Sequence, residues 1–520
     1  MKTHLLFRDQ DFPWNRALPD NADALIQDLE LTTLFSSMAD GDSYTYDVAQ
    51  RVVLAGIDDP TITFRQNVLN DCLNHPAQIK ILYELAVSTV EGSKRVGHFI
   101  LRDHPGMILS HSIQVLEYLI APLKRLRAIA DGQREQEYSS EGLTTFFKML
   151  TAELDDDYFA VVADHLKRLR FRSGVVISAE LGQGNHGRNY VLRSPAAGSE
   201  GWWQRLTSRF HDVNSFVIAD RDEAGARALT ELQERGINLV ADALAQATDH
   251  ILSFFHMMRA ELAFYVGCIN LRDQLGPQRE LYMPGQSQPG RPSVVARDLC
   301  DVVLALRRPQ EVIGNDVEAD GRSLILITGA NQGGKSTFLR SLGVAQLMFQ
   351  CGMFVTARQY TASTCSGIFT HYKREEDSTM NSGKLDEELA RMSEIVDHLR
   401  PGSLVLFNES FAATNEREGS EIARQVVDAL RDSGVAVWFV THLFHFAHSL
   451  HVEQTDSATA LFLRAERQTG GRRTFHVVEG EPLPTSYGED LYQEIFHPES
   501  PSTAAPEHDT AALPARTGNA

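Results

Sequence analysis

Leu324-Ile325-Leu326-Ile327-Thr328-Gly329-Ala330-Asn331-Gln332-Gly333-Gly334-Lys335-Ser336-Thr337 decides the reading of this chain. A short continuous apolar run, a glycine-rich turn and Lys-Ser ahead of a helical pattern give the order strand, loop, helix. From Gly329 to Ser336 the residues fit G-x-x-x-x-G-K-[ST]. Glycines let the backbone curl until its N–H groups converge on phosphate oxygens. Lys335 can reach the β- and γ-phosphates of a nucleotide, and the Ser336 hydroxyl can serve Mg2+. The helix expected over 337–350 turns the positive end of its dipole toward the anion. Gly329, Ala330, Asn331, Gln332, Gly333, Gly334, Lys335, Ser336 and Thr337 are therefore the expected nucleotide-binding loop, with ATP and Mg2+ as cofactors.

Two later apolar runs complete the set. Leu404-Val405-Leu406-Phe407 ends in Asn408-Glu409. This is the form of a Walker B strand, where an Asp usually holds Mg2+ through water and the next Glu polarises the attacking water. Asn408 stands in the place of that Asp. An amide can hold a water but adds no negative charge, so affinity for Mg2+ should fall. Glu409 is the candidate base. The run Val435–Val440 ends in Thr441-His442, where ABC-type ATPases carry a His that senses the γ-phosphate or positions water. Lys335, Glu409 and His442 form the expected catalytic group. Continuous apolar strands separated by helical segments predict a largely parallel sheet covered on both faces. The fold expected over 293–497 is an α/β ABC-type P-loop ATPase domain.

Upstream the periodicity is helical. From Asn21 to about Phe171 apolar residues recur at three- and four-residue spacing, as in Ile79, Leu82, Leu85 and Val90, with Pro60 and Pro76 marking helix starts. Val175–Ser178 and Tyr190–Leu192 flank a glycine-rich stretch, Gly182 to Gly187, and predict two short strands around a loop. A surface loop is expected over 195–201. Proline is absent from 222 to 268, where Leu229, Leu232, Ile237, Val240, Leu244, Ile251, Phe254, Met258 and Leu262 keep helical spacing. One continuous helix would run about 60 to 70 Å, long enough for a lever; the alternative is two helices joined near Gly236. Residues 276–292, rich in Gly, Pro and Gln, form the candidate boundary. The expected organisation is an N-terminal extension (1–28), a mostly α-helical lever- or clamp-like half (29–275) with a short β insertion near 172–220, the ATPase domain (293–497) and a disordered tail (498–520).

At 520 residues the chain is too long for one compact core. Its formal net charge of −20 argues against a basic coat for nucleic acid, though local clusters can still hold phosphates. Lys167, Arg168, Arg170 and Arg172, with Arg188 and Arg193, are the candidate DNA contacts; a solvated helix face is the alternative. Five cysteines lie far apart without a C-x-x-C pair, as expected of reduced thiols. No apolar run approaches the roughly 20 residues needed to span a bilayer, and the start lacks a long apolar stretch. A cytoplasmic protein without a membrane partner is expected.

The run Ile327 to Arg340 resembles the phosphate loop of the MutS family, in which an Asn precedes a Gly-Gly-Lys-Ser-Thr core. Asn315-Asp316, Gly352 to Ala357, Ile368-Phe369-Thr370 and Ser486-Tyr487-Gly488 support the likeness, and Asp58-Asp59-Pro60 with Arg65-Gln66 looks like the start of the family's lever domain. The resemblance extends from about Leu29 to Phe496. It implies a homodimer whose two ATP sites communicate with a helical clamp around DNA. It assigns phosphate and Mg2+ to Gly334, Lys335 and Ser336, the base to Glu409 and the sensor to His442. Ser382-Gly383-Lys384 looks like the start of a signature loop that reaches the partner's γ-phosphate, but Leu385-Asp386-Glu387 replaces the family's Ser-Thr-Phe. Near Val312 the family often has an aromatic or another apolar residue beside the adenine. Mismatch-sensing members wedge the Phe of a Phe-x-Glu into DNA. The only Phe-x-Glu here is Phe407-Asn408-Glu409, and few residues precede Leu29, so the usual wedge is not expected; nor is the C-terminal nuclease domain of another branch. The expected function is slow hydrolysis of ATP to ADP and phosphate by a dimer that binds DNA. The alternative is a nucleotide-gated scaffold with a protein partner. A transporter-type ATPase is disfavoured by the absence of Leu-Ser-Gly-Gly-Gln.

Overall fold

Side-chain caps and proline positions set the helix starts in the first half of the chain. The computed structural model describes residues 1–96, 104–132, 138–171, 175–185, 187–193, 222–288, 291–308, 312–374, 383–454, 459–468 and 473–483. Its first elements are α1 (Ala22–Asp28), α2 (Leu31–Ala39), α3 (Ser43–Leu54), α4 (Asp59–Asn74), α5 (Pro76–Val96), α6 (Pro105–Gly132), α7 (Glu141–Glu153) and α8 (Asp156–Leu169). Asp42, Asp58, Ser140 and Asp155 each accept an N–H from the first turn of α3, α4, α7 and α8, a cap worth about 1 kcal/mol. Pro60 lies in the first turn of α4 and Pro76 opens α5, where a missing N–H costs nothing.

The strands β1 (Val176–Leu181) and β2 (Gly187–Arg193) pair as an antiparallel hairpin. Next comes α9 (Glu223–Leu275), an unbroken helix of 53 residues and so about 80 Å long. It does not break at Gly236. A Cβ there would lie 2.4 Å from Ile177 Cδ1, so the glycine gives the hairpin room to pack on the helix. The C-terminal half of α9 is core, burying Phe254, Phe255, Met258, Leu262, Phe264 and Tyr265, whereas Leu229, Leu232 and Leu239 of the other half are exposed. The N-terminal extension is built into the same core. Leu5 and Leu6 are fully buried, and Glu261 Oε2 accepts their N–H groups at 2.5 and 3.2 Å. Tyr265 donates its hydroxyl to Leu5 O at 2.5 Å and Arg65 Nε donates to Leu6 O at 2.8 Å.

The remaining elements are β3 (Gly285–Gln286), β4 (Ser293–Leu299), α10 (Val302–Arg307), β5 (Asn315–Asp320), β6 (Leu324–Gly329), α11 (Lys335–Gln350), β7 (Gln359–Ala362), β8 (Ile368–Tyr372), α12 (Lys384–His398), β9 (Leu404–Asn408), α13 (Glu416–Asp432), β10 (Ala436–Val440), α14 (Phe444–Gln454), β11 (Ala460–Arg467) and β12 (Arg473–Glu479). A six-stranded sheet runs β12-β11-β6-β10-β9-β8, parallel except for the β11–β12 pair. A four-stranded sheet, β3-β7-β4-β5, accompanies it.

Alternation along the parallel strands divides the core in two. Ile325, Ile327, Leu404, Leu406, Trp438 and Val440 point to a cluster shared with α11 and the whole helical half. Leu324, Leu326, Val405, Phe407, Val437 and Phe439 point the other way, onto Ala423 and Val427 of α13 and Phe446 and Leu450 of α14. A sheet buried on both faces needs apolar residues at every position, which is why these strands read as unbroken apolar runs. Among the described residues no helix is long and apolar enough to cross a membrane. The loop expected at 195–201, the β insertion from 194 to 220, Ser486-Tyr487-Gly488 and the tail from 498 lie outside the described residues.

Candidate nucleotide site

Three parallel strands deliver their carboxyl ends to one edge of the sheet. Register sets Ile327 beside Val440 and Val440 beside Asn408, so the Gly329 loop, Asn408-Glu409 and Thr441-His442 leave the sheet side by side. In open α/β sheets this edge is where ligands bind.

The loop is wound as its glycines allow. Gly329 has φ +109° and Gly334 +88°, in the left-handed region. A Cβ on Gly329 would stand 2.9 Å from the Ala465 backbone nitrogen, so only glycine fits against β11. Lys335 is 4% exposed. Its Nζ donates to Gly329 O at 3.1 Å and Ala330 O at 2.9 Å. Burial pulls the ammonium down to about 8; the Glu409 charge opposes that shift and the Arg473 charge adds to it. Arg473 also donates to Gln332 Oε1 at 2.7 Å, bracing the loop from β12.

Ser336 Oγ donates to Asn408 Oδ1 at 2.8 Å, so the residues expected to serve Mg2+ are in contact. A hydroxyl and an amide oxygen with the Glu409 carboxylate nearby are hard oxygen donors. They suit a largely hydrated Mg2+, more weakly than a set with a second carboxylate. Glu409 Oε1 lies 2.9 Å from His442 Nε2. The hydrogen bond from His442, with the Lys335 and Lys373 charges, outweighs burial and holds the Glu409 carboxyl below its ordinary range. Glu409 has φ +56°, a strained conformation for a residue with a Cβ.

The cleft in front of the loop measures about 560 Å³ and is lined by Asn331 to Phe338, Glu409 and an apolar end of Leu299, Leu304, Val312 and Ile313. Val312, the position noted from the sequence, lines this cleft, and Phe475 of β12, 50% exposed and at φ +61°, adds an exposed ring to it. Asn315 anchors that strand: its Nδ2 donates to Phe475 O at 3.3 Å and its Oδ1 accepts Val477 N–H at 2.7 Å. Sequence reasoning missed Phe475 and Arg473, because a strand far along the chain gives no local sign that it borders the loop.

The other expected residues lie apart from this cluster. Gly383 is the N-cap of α12 and Lys384 its first residue; Ser382 lies outside the described residues. Of the candidate DNA contacts, Lys167 and Arg168 are in the last turn of α8. Arg168 pairs with Asp164 at 2.8 Å, Arg170 with Glu117 at 2.6 Å and Arg188 with Glu180 at 3.6 Å. Arg193 donates to Ser178 Oγ at 2.9 Å. Carboxylates therefore offset three of these cations; Arg172 lies outside the described residues.

The family model described as the MutS2 N-terminal domain matches residues 57–278, and the model described as MutS domain V matches residues 325–511. A DNA mismatch repair protein MutS of Thermus aquaticus is 31% identical over 186 residues, 36% of this chain and 22% of that protein. One from Leptospira interrogans is 25% identical over 319 residues, 57% of this chain and 36% of the relative. One from Synechococcus is 34% identical over 177 residues, 34% of this chain and 19% of the relative. The chain thus spans between 19% and 36% of the length of these relatives.

Proposed function

This chain belongs to the MutS family, and we propose that it is an ABC-type P-loop ATPase that dimerises on ATP and acts on DNA through its helical half. The observation that carries the reading is the meeting of Lys335, Ser336 and Glu409 in one cleft, with Asn408 hydrogen-bonded to Ser336 and His442 to Glu409 behind them.

In this reading Lys335 leaves the loop carbonyls to bind the β- and γ-phosphates, while the N–H groups at the start of α11, which lack intrahelical partners, receive phosphate oxygens. Leu304, Val312 and Ile313 shelter the base and Phe475 offers it a ring face. Ser336 and Asn408 would hold a Mg2+ ion, which would supply positive charge against the phosphates. His442 orients the Glu409 carboxylate, and Glu409 accepts the proton of the water that attacks the γ-phosphorus in line. Ser382, Gly383 and Lys384 reach the γ-phosphate of the partner subunit. Lys167, Arg168, Arg170, Arg172, Arg188 and Arg193 face DNA phosphates, and the acidic neighbours of several imply weak, salt-sensitive binding.

A second reading is a nucleotide-gated scaffold that binds ATP, hardly hydrolyses it and has a protein partner. Asn408 and the Leu385-Asp386-Glu387 departure favour it. One experiment separates the two: ATP turnover with and without duplex, branched or mismatched DNA, for the native chain and Glu409→Ala. Turnover that DNA stimulates and the substitution abolishes supports the ATPase. Nucleotide binding without turnover or DNA association supports the scaffold.

A further inference from the structure

The loop that follows Glu409 is bent sharply, and the residues that hold it come from other elements. Glu409 and Phe411 have φ +56° and +62°, two left-handed residues around Ser410. Ser410 and Phe411 are fully buried. Such a backbone persists only where its surroundings over-determine it.

Two partners do so. Glu388 of α12, 5% exposed, accepts the Phe411 N–H on Oε2 at 2.7 Å. The carbonyl of Glu388 lies 2.9 Å from Nε2 of His371, a fully buried residue of β8. Nδ1 of His371 lies 2.7 Å from Ser410 Oγ, and its ring stacks on Phe411 at 5.3 Å. Burial pulls the imidazolium down to about 4, so the ring is neutral. A neutral ring facing a carbonyl must place its proton on Nε2, which leaves Nδ1 as acceptor for Ser410. The Ser410 hydroxyl also sits 2.5 Å from His371 O and shares its proton between the two. These contacts tie α12 and β8 to each other and to the residues directly after the candidate base.

We propose that Glu388 is a positioning residue: with His371 it clamps Ser410 and Phe411, so that α12, the helix capped by Gly383, sets where the Glu409 carboxylate stands. The proposal rests on the ATPase reading. A displaced α12 then moves the base in its own subunit, and contact of its leading residues with a partner's nucleotide reaches the near site through one carboxylate. A contact serving only to dock the helix would alter stability and leave the chemical step alone.

Steady-state ATP turnover of the full chain, with amide exchange at Phe411, tests this. Glu388→Ala should lower kcat about tenfold or more with KM for ATP within about threefold, and should speed Phe411 exchange by about tenfold. Glu388→Gln keeps an acceptor oxygen and should hold kcat within about threefold of native. A folded Glu388→Ala protein with native kcat overturns the proposal, as does an equal loss in the Ala and Gln variants. If Glu388→Ala does not fold, Ser410→Ala decides by the same split: reduced kcat at native KM upholds the clamp and native kcat overturns it. If the native chain binds ATP without turnover, the ATPase reading fails; Phe411 exchange then upholds the clamp if Glu388→Ala speeds it and overturns it if not.

Discussion

Raising the pH past the range of Lys335 should weaken ATP binding. In the free protein the ammonium is buried among loop carbonyls and titrates at about 8. Bound phosphates favour the charged form, so the value in the complex lies higher. The sign follows from linkage: a depressed value in the free state and a raised one in the complex mean that binding takes up a proton as the pH passes the lower value. Affinity is therefore flat below about 8 and falls tenfold per pH unit above it, until the bound-state value is reached. Between about pH 7 and pH 9 the dissociation constant should rise about tenfold, about 1.4 kcal/mol. Titration calorimetry with a non-hydrolysable ATP analogue, without divalent cation, measures it directly. Run in buffers of different ionisation enthalpy, it also counts the proton taken up. Lys335→Met should bind weakly with no rise over this range. A native dissociation constant that is flat from about pH 7 to 9 would refute the argument, since it requires the ammonium to be as easily ionised free as bound.

Asn408→Asp puts a carboxylate where the amide now sits, 2.8 Å from Ser336 Oγ; the Mg2+ concentration for half-maximal turnover should fall about tenfold, as a Mg2+ titration of phosphate release would show. Arg65→Met removes the donor to Leu6 O at 2.8 Å and Cys351 O at 3.3 Å from a wholly buried position. With two carbonyls left unpaired, denaturant unfolding should show a loss of about 2–4 kcal/mol.

What the sequence disclosed depended on whether structure was local. The strands β6, β9 and β10 were legible because burial on both faces leaves no polar position, and the tight turn at Gly329 to Gly334 because glycines directly after such a strand permit positive φ. The four-stranded sheet was not legible. β5 reads Asn-Asp-Val-Glu-Ala-Asp and buries alternate residues, including Asn315, so its polar letters resemble a loop. The extension before α1 gave no periodicity, because Leu5 and Leu6 are held by Arg65 and Glu261, residues 59 and 256 positions away from their partners. Gly236 was ambiguous for the same reason, since Ile177 of another element explains it. At the site, the roles considered for Lys335, Glu409 and His442 came from strand ends, whereas Phe475, Arg473, Glu388 and His371 enter through tertiary contact only.

In the proposed reading, helix α11 is the element through which a bound nucleotide and the long helix α9 would sense each other. Its first turn carries Lys335 and Ser336, while Arg340 one turn later pairs with Asp301 before α10 and with Glu30 before α2. At the far end the Cys351 carbonyl accepts from Arg65 of α4, a cation where the helix dipole is negative. Gly352 follows at φ +83°, and a Cβ there would lie 2.6 Å from Arg65 Cβ, so the chain turns tightly against α4. Arg65 also holds Leu6, whose neighbour Leu5 is bonded to Glu261 and Tyr265 of α9. A shift of α11 along its axis must therefore either break buried hydrogen bonds or carry α4, the N-terminal extension and the root of α9 with it. Because close-packed interiors resist partial adjustment, the second course costs less. An arm of about 80 Å turns a small displacement at its root into a large one at its tip.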